Sequence, residues 1–384
     1  MPAQRATGPV DACGRTGWAL PSFTPVLVGL HERPRTCLAQ PHLRRERLLH
    51  RTAARRPAPR PGPRHPRRRR LPVLAAADHA ALEPGDLTPD AYVAYALDYC
   101  ARHSIDVFLP RLNQLAISLH HQEFEAIGTA LACPPATAIA AFDSKADGYA
   151  ALAAAGLPTP PWWQVRSASD LLTAVDRIEA AGLTACLKPV SGAGGEGFRV
   201  LTREPFGLHR LAGWDSRVQV EQVAAALDAA DEPADLLVMP FLDGPEVSVD
   251  CLADRDGTLL AAVGRSKHRR RRSFTTAPRY LEPARRVVES TGMAFLSNVQ
   301  FRHLAGEPIV IDVNTRPSGG LHQLRLCGLN LPWNAVQLAL GERPDTDWPE
   351  ELAATEYTLV AGIQPVLPRE VPFGLGLGPV ELVH

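Results

Sequence analysis

The 384-residue sequence predicts an α+β protein, and three observations support this prediction. Apolar strands separated by turns form predicted hairpins at 183–202, 246–264 and 297–314. Helical patterns with capping residues occur before and between these strands. The length exceeds that of one ordinary hydrophobic core, so it indicates about two to three compact units.

The composition excludes several classes of protein. Apolar residues make up 45% of the chain and charged residues 21%, which is ordinary for a globular protein. No stretch reaches the roughly 18 to 20 unbroken apolar residues of a membrane span, so a membrane partner is not expected. The seven cysteines contain no CxxC pair, which predicts a protein of the reducing cytoplasm.

Charge is distributed unevenly along the chain, although the formal net charge is zero. Residues 1–75 contain 16 arginines, no lysine and three acidic residues. This Arg- and Pro-rich segment is predicted to be disordered. A nucleic-acid arm is the alternative, but no aromatic residue interrupts the arginine run to stack on bases, which argues against nucleic acid as a partner.

Helix and strand signals begin near residue 88. Thr88–His103 has apolar residues at helical spacing, Ile105–Pro110 reads as a buried strand, and Gln122–Leu131 is predicted to form a second helix. Asp143 is predicted to cap a further helix that Gly156 ends. The first three elements predict the end of a small α/β unit.

The loop SGAGGEG at 191–197 follows a predicted strand. Three of its glycines satisfy the GxGxxG spacing of a dinucleotide site, but such a site needs a following helix, and the residues FRVL indicate a strand. The loop is therefore predicted to be the tip of a hairpin whose backbone amides could close over phosphates. A flexible tip without a ligand is the alternative.

Lysine is scarce, since the chain contains Lys145, Lys188 and Lys267 alone against 38 arginines. Lys188 precedes the glycine loop and Lys145 begins the helix after Asp143. Both could hold phosphates, and the alternative is that they are solvated surface lysines. Lys267 lies in the arginine-rich run at 264–272, which could attract an anion or could simply be a solvated loop.

The hairpin at 296–320 is the strongest chemical signal in the sequence. Alternation places Asp312, Asn314 and Arg316 on one face of its second strand. A three-residue turn, Ala305–Glu307, would then set Gln300 opposite Asp312 and Asn298 opposite Asn314. Oxygen ligands of this kind suit Mg²⁺, and Arg316 could grip a phosphate. A polar outer face of an edge hairpin is the alternative.

Taken in order, these segments resemble the ATP-grasp family, most closely its carbamoyl-phosphate-synthase-like branch. The segments are DSK (143–145), LKPVSGAGGEG (187–197), VMPFLDGPEVSVD (238–250), SNVQF (297–301) and IDVNTRPSGG (311–320). The resemblance implies two α+β subdomains that clasp ATP and Mg²⁺ or Mn²⁺. It assigns Arg316 and Lys188 to catalysis and Gln300, Asp312 and Asn314 to the metal. The nucleotide contacts it implies are Lys145, Lys188, Gly194, Gly195, Met239, Phe241, Leu242, Glu246 and Lys267.

The resemblance also implies a domain organisation. A disordered segment (1–75) would precede a truncated α/β pre-ATP-grasp unit (76–140). The ATP-grasp domain would span 141–345, with a lid subdomain at about 157–238, and a tail would span 346–384. Two departures stand out, because the family usually has Glu at position 312 and a glycine-rich βαβ start that residues 1–75 lack.

The activity implied is that of a ligase that forms a C–N bond. A carboxylate would attack the γ-phosphate of ATP, and an amine or similar nucleophile would displace phosphate from the acyl phosphate. The predicted partners are ATP and small carboxylate and amine substrates, and a homodimer is left open. A non-catalytic ATP-binding module and a nucleic-acid-binding protein are the alternatives.

Overall fold

The computed structural model describes residues 37–39, 84, 87–191, 197–205, 207, 216–231, 235–268, 271–344 and 356–358. All of these residues belong to one compact unit. Within them the chain forms three β-sheets of three, five and six strands. The predicted tips and tails at 1–36, 192–196 and 359–384 lie outside the described residues.

The three-stranded sheet forms the first part of the fold. Its order is β1-β2-β3, and both strand pairs are parallel. Helices α1 to α3 pack on it around a core that includes Tyr92, Phe108, Ile117 and Phe124. The elements are β1 (Cys37–Ala39), α1 (Pro89–Arg102), β2 (Val107–Leu109), α2 (Gln114–Leu119), α3 (His121–Ala126), β3 (Ala130–Leu131) and α4 (Ala136–Ala140).

Two predictions for this part of the chain differ from the structure. The predicted helix Gln122–Leu131 is wrong in its second half, because Gly128 has φ +83° and Ala130–Leu131 form a strand beside β2. Cys37–Ala39 fall within the segment predicted to be disordered, yet they form β1. Strand β2 would otherwise present unpaired backbone groups at this edge, which favours the pairing.

The five-stranded sheet has the order β4-β8-β5-β6-β7. Strands β5 and β6 pair antiparallel, which confirms that the strands around the glycine loop form a hairpin and not a dinucleotide-binding turn. The elements are α5 (Lys145–Ala154), β4 (Trp163–Val165), α6 (Ala168–Ala180), β5 (Ala185–Pro189), β6 (Arg199–Thr202), β7 (Arg217–Gln219), α7 (Val220–Asp228) and β8 (Leu236–Pro240).

The six-stranded sheet is antiparallel throughout, in the order β13-β12-β9-β10-β11-β14. Helix α8 packs on one side with Val287 and Val288 fully buried, and α9 belongs to a second apolar cluster. The elements are β9 (Asp243–Ala253), β10 (Leu259–His268), β11 (Arg271–Thr275), α8 (Pro278–Thr291), β12 (Phe295–Leu304), β13 (Glu307–Asn314), a 3₁₀ helix (Leu321–Cys327), α9 (Leu331–Ala339) and β14 (Glu356–Thr358).

The hairpin of β12 and β13 has the predicted pairing at its open end. Gln300 faces Asp312 and Asn298 faces Asn314. The turn was predicted wrongly, because Leu304 faces Glu307 and the turn therefore has two residues. Both turn residues have positive φ, as a tight hairpin connection of this length requires.

A β-bulge compensates for the shorter turn. Phe301 faces Val310 and Gln300 faces Asp312, so Ile311 is an extra residue on β13. The bulge restores the register that the two-residue turn would have shifted by one. Asp312 and Asn314 therefore remain on one face, and the amide of Asn314 donates to Asp312 Oδ2 (3.2 Å).

No helix among the described residues is both long and apolar enough to cross a bilayer. The five cysteines in the described part of the chain, Cys100, Cys133, Cys186, Cys251 and Cys327, are free and buried. Burial raises the pKa of the Cys100, Cys133 and Cys186 thiols to about 12. Such thiols are packing residues and poor nucleophiles.

Candidate active site

A cavity of about 620 Å³ lies among the first sheet's helices, the start of α5 and the end of β13. Its wall is mixed, with apolar side chains such as Leu119, Ile139 and Leu152 beside charged ones. The ionisable lining residues are Asp90, Arg111, His120, Asp143, Lys145, Tyr149, Asp312 and Arg316. Four predicted site residues, Lys145, Asp312, Asn314 and Arg316, thus line one cavity.

Lys145 is the first residue of α5, and its position is fixed from two sides. Ser144 is the N-cap, since its hydroxyl accepts from the amide of Asp147 (3.0 Å), and the predicted cap Asp143 is therefore wrong by one residue. The Lys145 amide donates to the Val190 carbonyl (3.0 Å), which ties the helix start to the chain just after β5. This backbone contact brings the start of α5, which carries Lys145, close to the end of β5, which carries Lys188.

Lys188 lies on β5 and donates two hydrogen bonds. Its Nζ reaches Tyr149 Oη (3.0 Å) and the carbonyl of Ile311 (3.0 Å). Tyr149 Oη also donates to the Ile311 carbonyl (2.9 Å). The bulged residue of β13 therefore anchors a tyrosine and a lysine from two other elements. Burial lowers the pKa of Lys188 to about 8, and Lys145 adds to that effect while Asp312 opposes it.

Asp312 is the anion that the two lysines share. Burial lowers the pKa of Lys145, and the charge of Asp312 partly reverses this shift, as it does for Lys188. Arg316 follows the same pattern, with its pKa lowered by burial and raised by Asp312. Three cations thus surround one carboxylate, and this excess of positive charge favours a polyanionic ligand such as a polyphosphate.

The donors on the β12–β13 face fit a hard cation. Asp312 contributes a carboxylate, and Asn314 and Gln300 contribute amide oxygens. No cluster of three or more His, Cys, Asp or Glu side chains suited to a metal occurs in the described residues. A set with one carboxylate suits Mg²⁺ that keeps ligands from phosphate or water.

A buried ion pair lies farther along the same face of the sheet, on β9 and β10, and sequence reasoning missed it. Arg265 Nε donates to Asp250 Oδ2 (2.6 Å), with side chains 11% and 0% exposed. The side-chain amide of Asn298, the residue predicted to face Asn314, donates to Asp250 Oδ1 (2.9 Å). Asn298 therefore supports the ion pair. Arg265 Nη2 also donates to Ser318 Oγ (2.8 Å), which holds the loop that carries Arg316.

Several predicted nucleotide contacts lie outside the lining of the cavity. Met239 and Leu242 are buried in the main apolar cluster, and Phe241 packs against it. The Phe241 amide donates to the Thr184 carbonyl (2.7 Å). Lys267 is exposed near the end of β10 and Glu246 is half-buried on β9. Gly194 and Gly195 fall in a part of the loop that the structure does not describe.

Comparison with known proteins identifies the fold. Residues 232–363, about a third of the chain, match a family model described as ATP-grasp in the biosynthetic pathway with Ter operon. None of the curated proteins compared with this chain matches it. The family match does not distinguish the carbamoyl-phosphate-synthase-like branch, which stays a prediction.

Solved structures with low sequence identity share the architecture. The biotin carboxylase domain of Hydrogenobacter thermophilus 2-oxoglutarate carboxylase, solved with MgADP, ADP and bicarbonate, is 18% identical with a TM-score of 0.52 over 70% of this chain. The ADP complex of the N5-carboxyaminoimidazole ribonucleotide synthetase purK is 15% identical with a TM-score of 0.51 over 68% of this chain.

A third structure, biotin carboxylase of Campylobacter jejuni, is 16% identical with a TM-score of 0.50 over 67% of this chain. The chain covers 61%, 67% and 60% of the Hydrogenobacter, purK and Campylobacter chains respectively. Such likeness at low identity concerns the fold. The antiparallel glycine hairpin, the two larger sheets and the family match at 232–363 together show that this chain is an ATP-grasp-fold protein.

Proposed function

We propose that the protein is an Mg-ATP-dependent ligase that activates a carboxylate as an acyl phosphate for attack by an amine or similar nucleophile. One observation carries the proposal: the cavity unites Lys145, Asp312 and Arg316, and Lys188 reaches the same place through Ile311. Three cations from three segments of the chain that converge on one carboxylate suit a phosphoryl group in transfer.

The chemistry would proceed in two balanced steps. A carboxylate oxygen attacks the γ-phosphorus of ATP, the bond to the β-phosphate oxygen breaks, and ADP leaves. The amine nitrogen then attacks the acyl carbon, phosphate leaves with the bonding electrons, and the amine loses a proton. Lys145, Lys188 and Arg316 would position the phosphoryl group and balance its charge throughout.

Asp312 would hold Mg²⁺ or Mn²⁺ together with the amide oxygens of Asn314 and Gln300. The cation, when bound, would neutralise charge on the nucleotide phosphates. The adenine and ribose contacts proposed for Met239, Phe241, Leu242 and Glu246, and the phosphate contacts of Gly194, Gly195 and Lys267, remain part of the proposal. The ADP and MgADP complexes of the similar structures support a nucleotide in this fold.

Two measurements test the proposal. Calorimetry should detect binding of Mg-ATP, and a panel of amino acids and dicarboxylic acids should include one that stimulates release of ADP. The variant Lys188→Ala should lose ATP turnover by about 100-fold or more, because it removes one charge-stabilising donor. Arg271→Ala is the matched control, since Arg271 is exposed on β11 and pairs with Glu356.

The outcomes separate the candidate functions. Binding of Mg-ATP with no acid-stimulated ADP release would favour the non-catalytic module. Absence of Mg-ATP binding would refute both. Turnover in Lys188→Ala equal to that of Arg271→Ala would remove Lys188 from the site.

A further inference from the structure

Asn298 lies between the buried ion pair of β9 and β10 and Gln300, one of the residues proposed to bind the cation. Asn298 and Asp250 are both fully buried, and they face each other across the strands β12 and β9. Gln300 is two residues farther along β12, so its side chain lies on the same face of the sheet as that of Asn298. A buried amide thus separates a fixed charge from a proposed metal ligand.

The side-chain amide of Asn298 has one favourable orientation beside Asp250. Its nitrogen Nδ2 donates to Asp250 Oδ1 (2.9 Å) and to the Val249 carbonyl (3.1 Å). A carboxylate in an ion pair and a backbone carbonyl accept hydrogen bonds and donate none. A flipped amide would set the Asn298 oxygen against both acceptors and leave them without a donor, which is costly in a buried place.

The orientation of Asn298 determines that of Gln300. Because Nδ2 of Asn298 is directed at Asp250, its oxygen Oδ1 lies on the other side of the amide group. This oxygen accepts from Gln300 Nε2 (3.4 Å) and from the hydroxyl of Ser248 (3.1 Å). No donor among the described residues reaches Gln300 Oε1. Gln300 therefore presents an amide oxygen on the face that also carries Asp312.

The second amide proposed to bind the cation shows the same polarity. Asn314 Nδ2 donates to Asp312 Oδ2 (3.2 Å), so the nitrogen of this amide also contacts an acceptor within the protein. A hard cation binds amide oxygens, whereas an amide N–H group turns its positive end toward the cation and repels it. The network therefore selects, for each amide, the orientation that suits a cation.

We propose that Asp250 and Asn298 are positioning residues for the cation site, because together they hold the amide of Gln300 with its oxygen presented to the cation. Arg265 fixes the carboxylate of Asp250 from the other side through Oδ2 (2.6 Å). The inference rests on the proposed function for the cation and for the role of Gln300. Cation binding does not require turnover, so it can be measured separately.

The test uses the difference between an amide and a carboxylate at position 300. A glutamate side chain presents an oxygen in either orientation, so Gln300→Glu should make cation binding independent of Asn298. Asn298→Ala would therefore be made in the wild-type chain and in combination with Gln300→Glu. Ser297→Ala is the control, because Ser297 is a buried neighbour on the opposite face of β12.

Calorimetry on the full chain would measure the affinity for ADP at a series of Mn²⁺ concentrations, which gives the half-saturating Mn²⁺ concentration. Thermal unfolding of each variant would report whether it is folded. Asn298→Ala should raise the half-saturating concentration by about tenfold or more, the usual effect of removing a group that orients a metal ligand. In chains with Gln300→Glu the same substitution should leave it unchanged, and Ser297→Ala should match the wild type.

An equal loss from Asn298→Ala with and without Gln300→Glu would overturn the proposal, because general damage to the strand would act in both chains. Unchanged Mn²⁺ dependence in folded Asn298→Ala would do the same, as would ADP binding by the wild type that does not respond to Mn²⁺. If Asn298→Ala does not fold, Asp250→Asn, which keeps the size of the side chain, replaces it in the same comparison. The expected pattern without acid-stimulated ADP release would refute the ligase function alone.

Discussion

The ammonium group of Lys188 donates a hydrogen bond to the backbone carbonyl of Ile311 (3.0 Å), across 123 residues of sequence. Ile311 is the bulged residue of β13, and Asp312 is its neighbour. The contact therefore fixes a cation from the five-stranded sheet beside the carboxylate of the six-stranded sheet. It explains how two sheets can present one charged wall.

Tyr149 supports this contact, so Tyr149→Phe should impair the reaction without unfolding the chain. The hydroxyl accepts from Lys188 Nζ and donates to the same Ile311 carbonyl. Its loss removes one acceptor of Lys188, and we expect turnover to fall about three- to tenfold, the equivalent of one ordinary hydrogen bond. Steady-state ADP release and thermal unfolding check this. Unchanged turnover in a folded variant would show that Lys188 needs no support from Tyr149.

The affinity for Mg-ATP should fall as the pH rises through about 8, the pKa to which burial lowers Lys188. The side chain is an ammonium below this value and loses its charge above it. Lys188→Arg stays charged across the range and should flatten the dependence. Calorimetric titrations at a series of pH values measure the affinity for Mg-ATP of the wild type and of Lys188→Arg. If the affinity for Mg-ATP falls equally with pH in the wild type and in Lys188→Arg, another group is responsible for the pH dependence.

Stability should show the opposite trend with pH. The ordinary pKa of lysine, 10.5, applies to the unfolded chain, and the folded value is lower, so the folded state binds fewer protons between the two. Burial of the charged group costs folding free energy below pH 8. That cost is relieved as the pH rises from 8 to 10.5. Denaturant unfolding of the wild type and of Lys188→Met would measure this, because the difference between their free energies of unfolding should shrink over this range.

Asp312→Asn should weaken the response to magnesium. The substitution keeps the shape of the side chain and removes the carboxylate among the proposed ligands, so the half-saturating Mg²⁺ concentration should rise by about tenfold or more. It should also lower the pKa of Lys145 and Lys188 further, because Asp312 raises both. Asp143→Asn, which lies on the same cavity wall, is the control. Superimposable magnesium titrations for the two variants would contradict the assignment.

Gly320→Ala should damage both stability and turnover. A Cβ at this position would lie 2.2 Å from Nη1 of Arg265, while φ of −99° is accessible to any residue. The clash with Arg265 alone therefore determines the effect of the substitution. Overpacking of this kind lowers the free energy of unfolding by about 1–3 kcal/mol. Ser318→Ala removes one hydrogen bond from Arg265 without adding an atom and should cost less. Thermal unfolding and turnover that match the wild type would show that the loop carrying Arg316 does not depend on Arg265.

Local patterns predicted much of the fold. The β5–β6 and β12–β13 hairpins follow from apolar strands with intervening turn residues, and these signals span a few residues each. The helix cap at Ser144 was missed by one position, because Asp143 and Ser144 are both good caps and the choice depends on packing. Tyr149 could have been found, since it lies one helical turn after Lys145 on α5.

The remaining parts of the site depend on contacts between distant segments. Gln114 and Thr315 are 201 residues apart, and nothing in either local sequence indicates the other. The ion pair of Asp250 and Arg265 lies on two adjacent strands, but its burial depends on Asn298 and Ser318 from elsewhere. Such partners become visible only when the sheets have been assembled.

The two-residue turn and the bulge at Ile311 shift the register of this hairpin in opposite directions, so the number of residues between its strands is constrained. Loss of one residue between 302 and 311, or gain of one, would rotate the carboxylate at 312 from the charged wall into the apolar interior. Many substitutions within that stretch would leave the arrangement intact. Loop length, rather than residue identity, is therefore the property that a related sequence would have to preserve here.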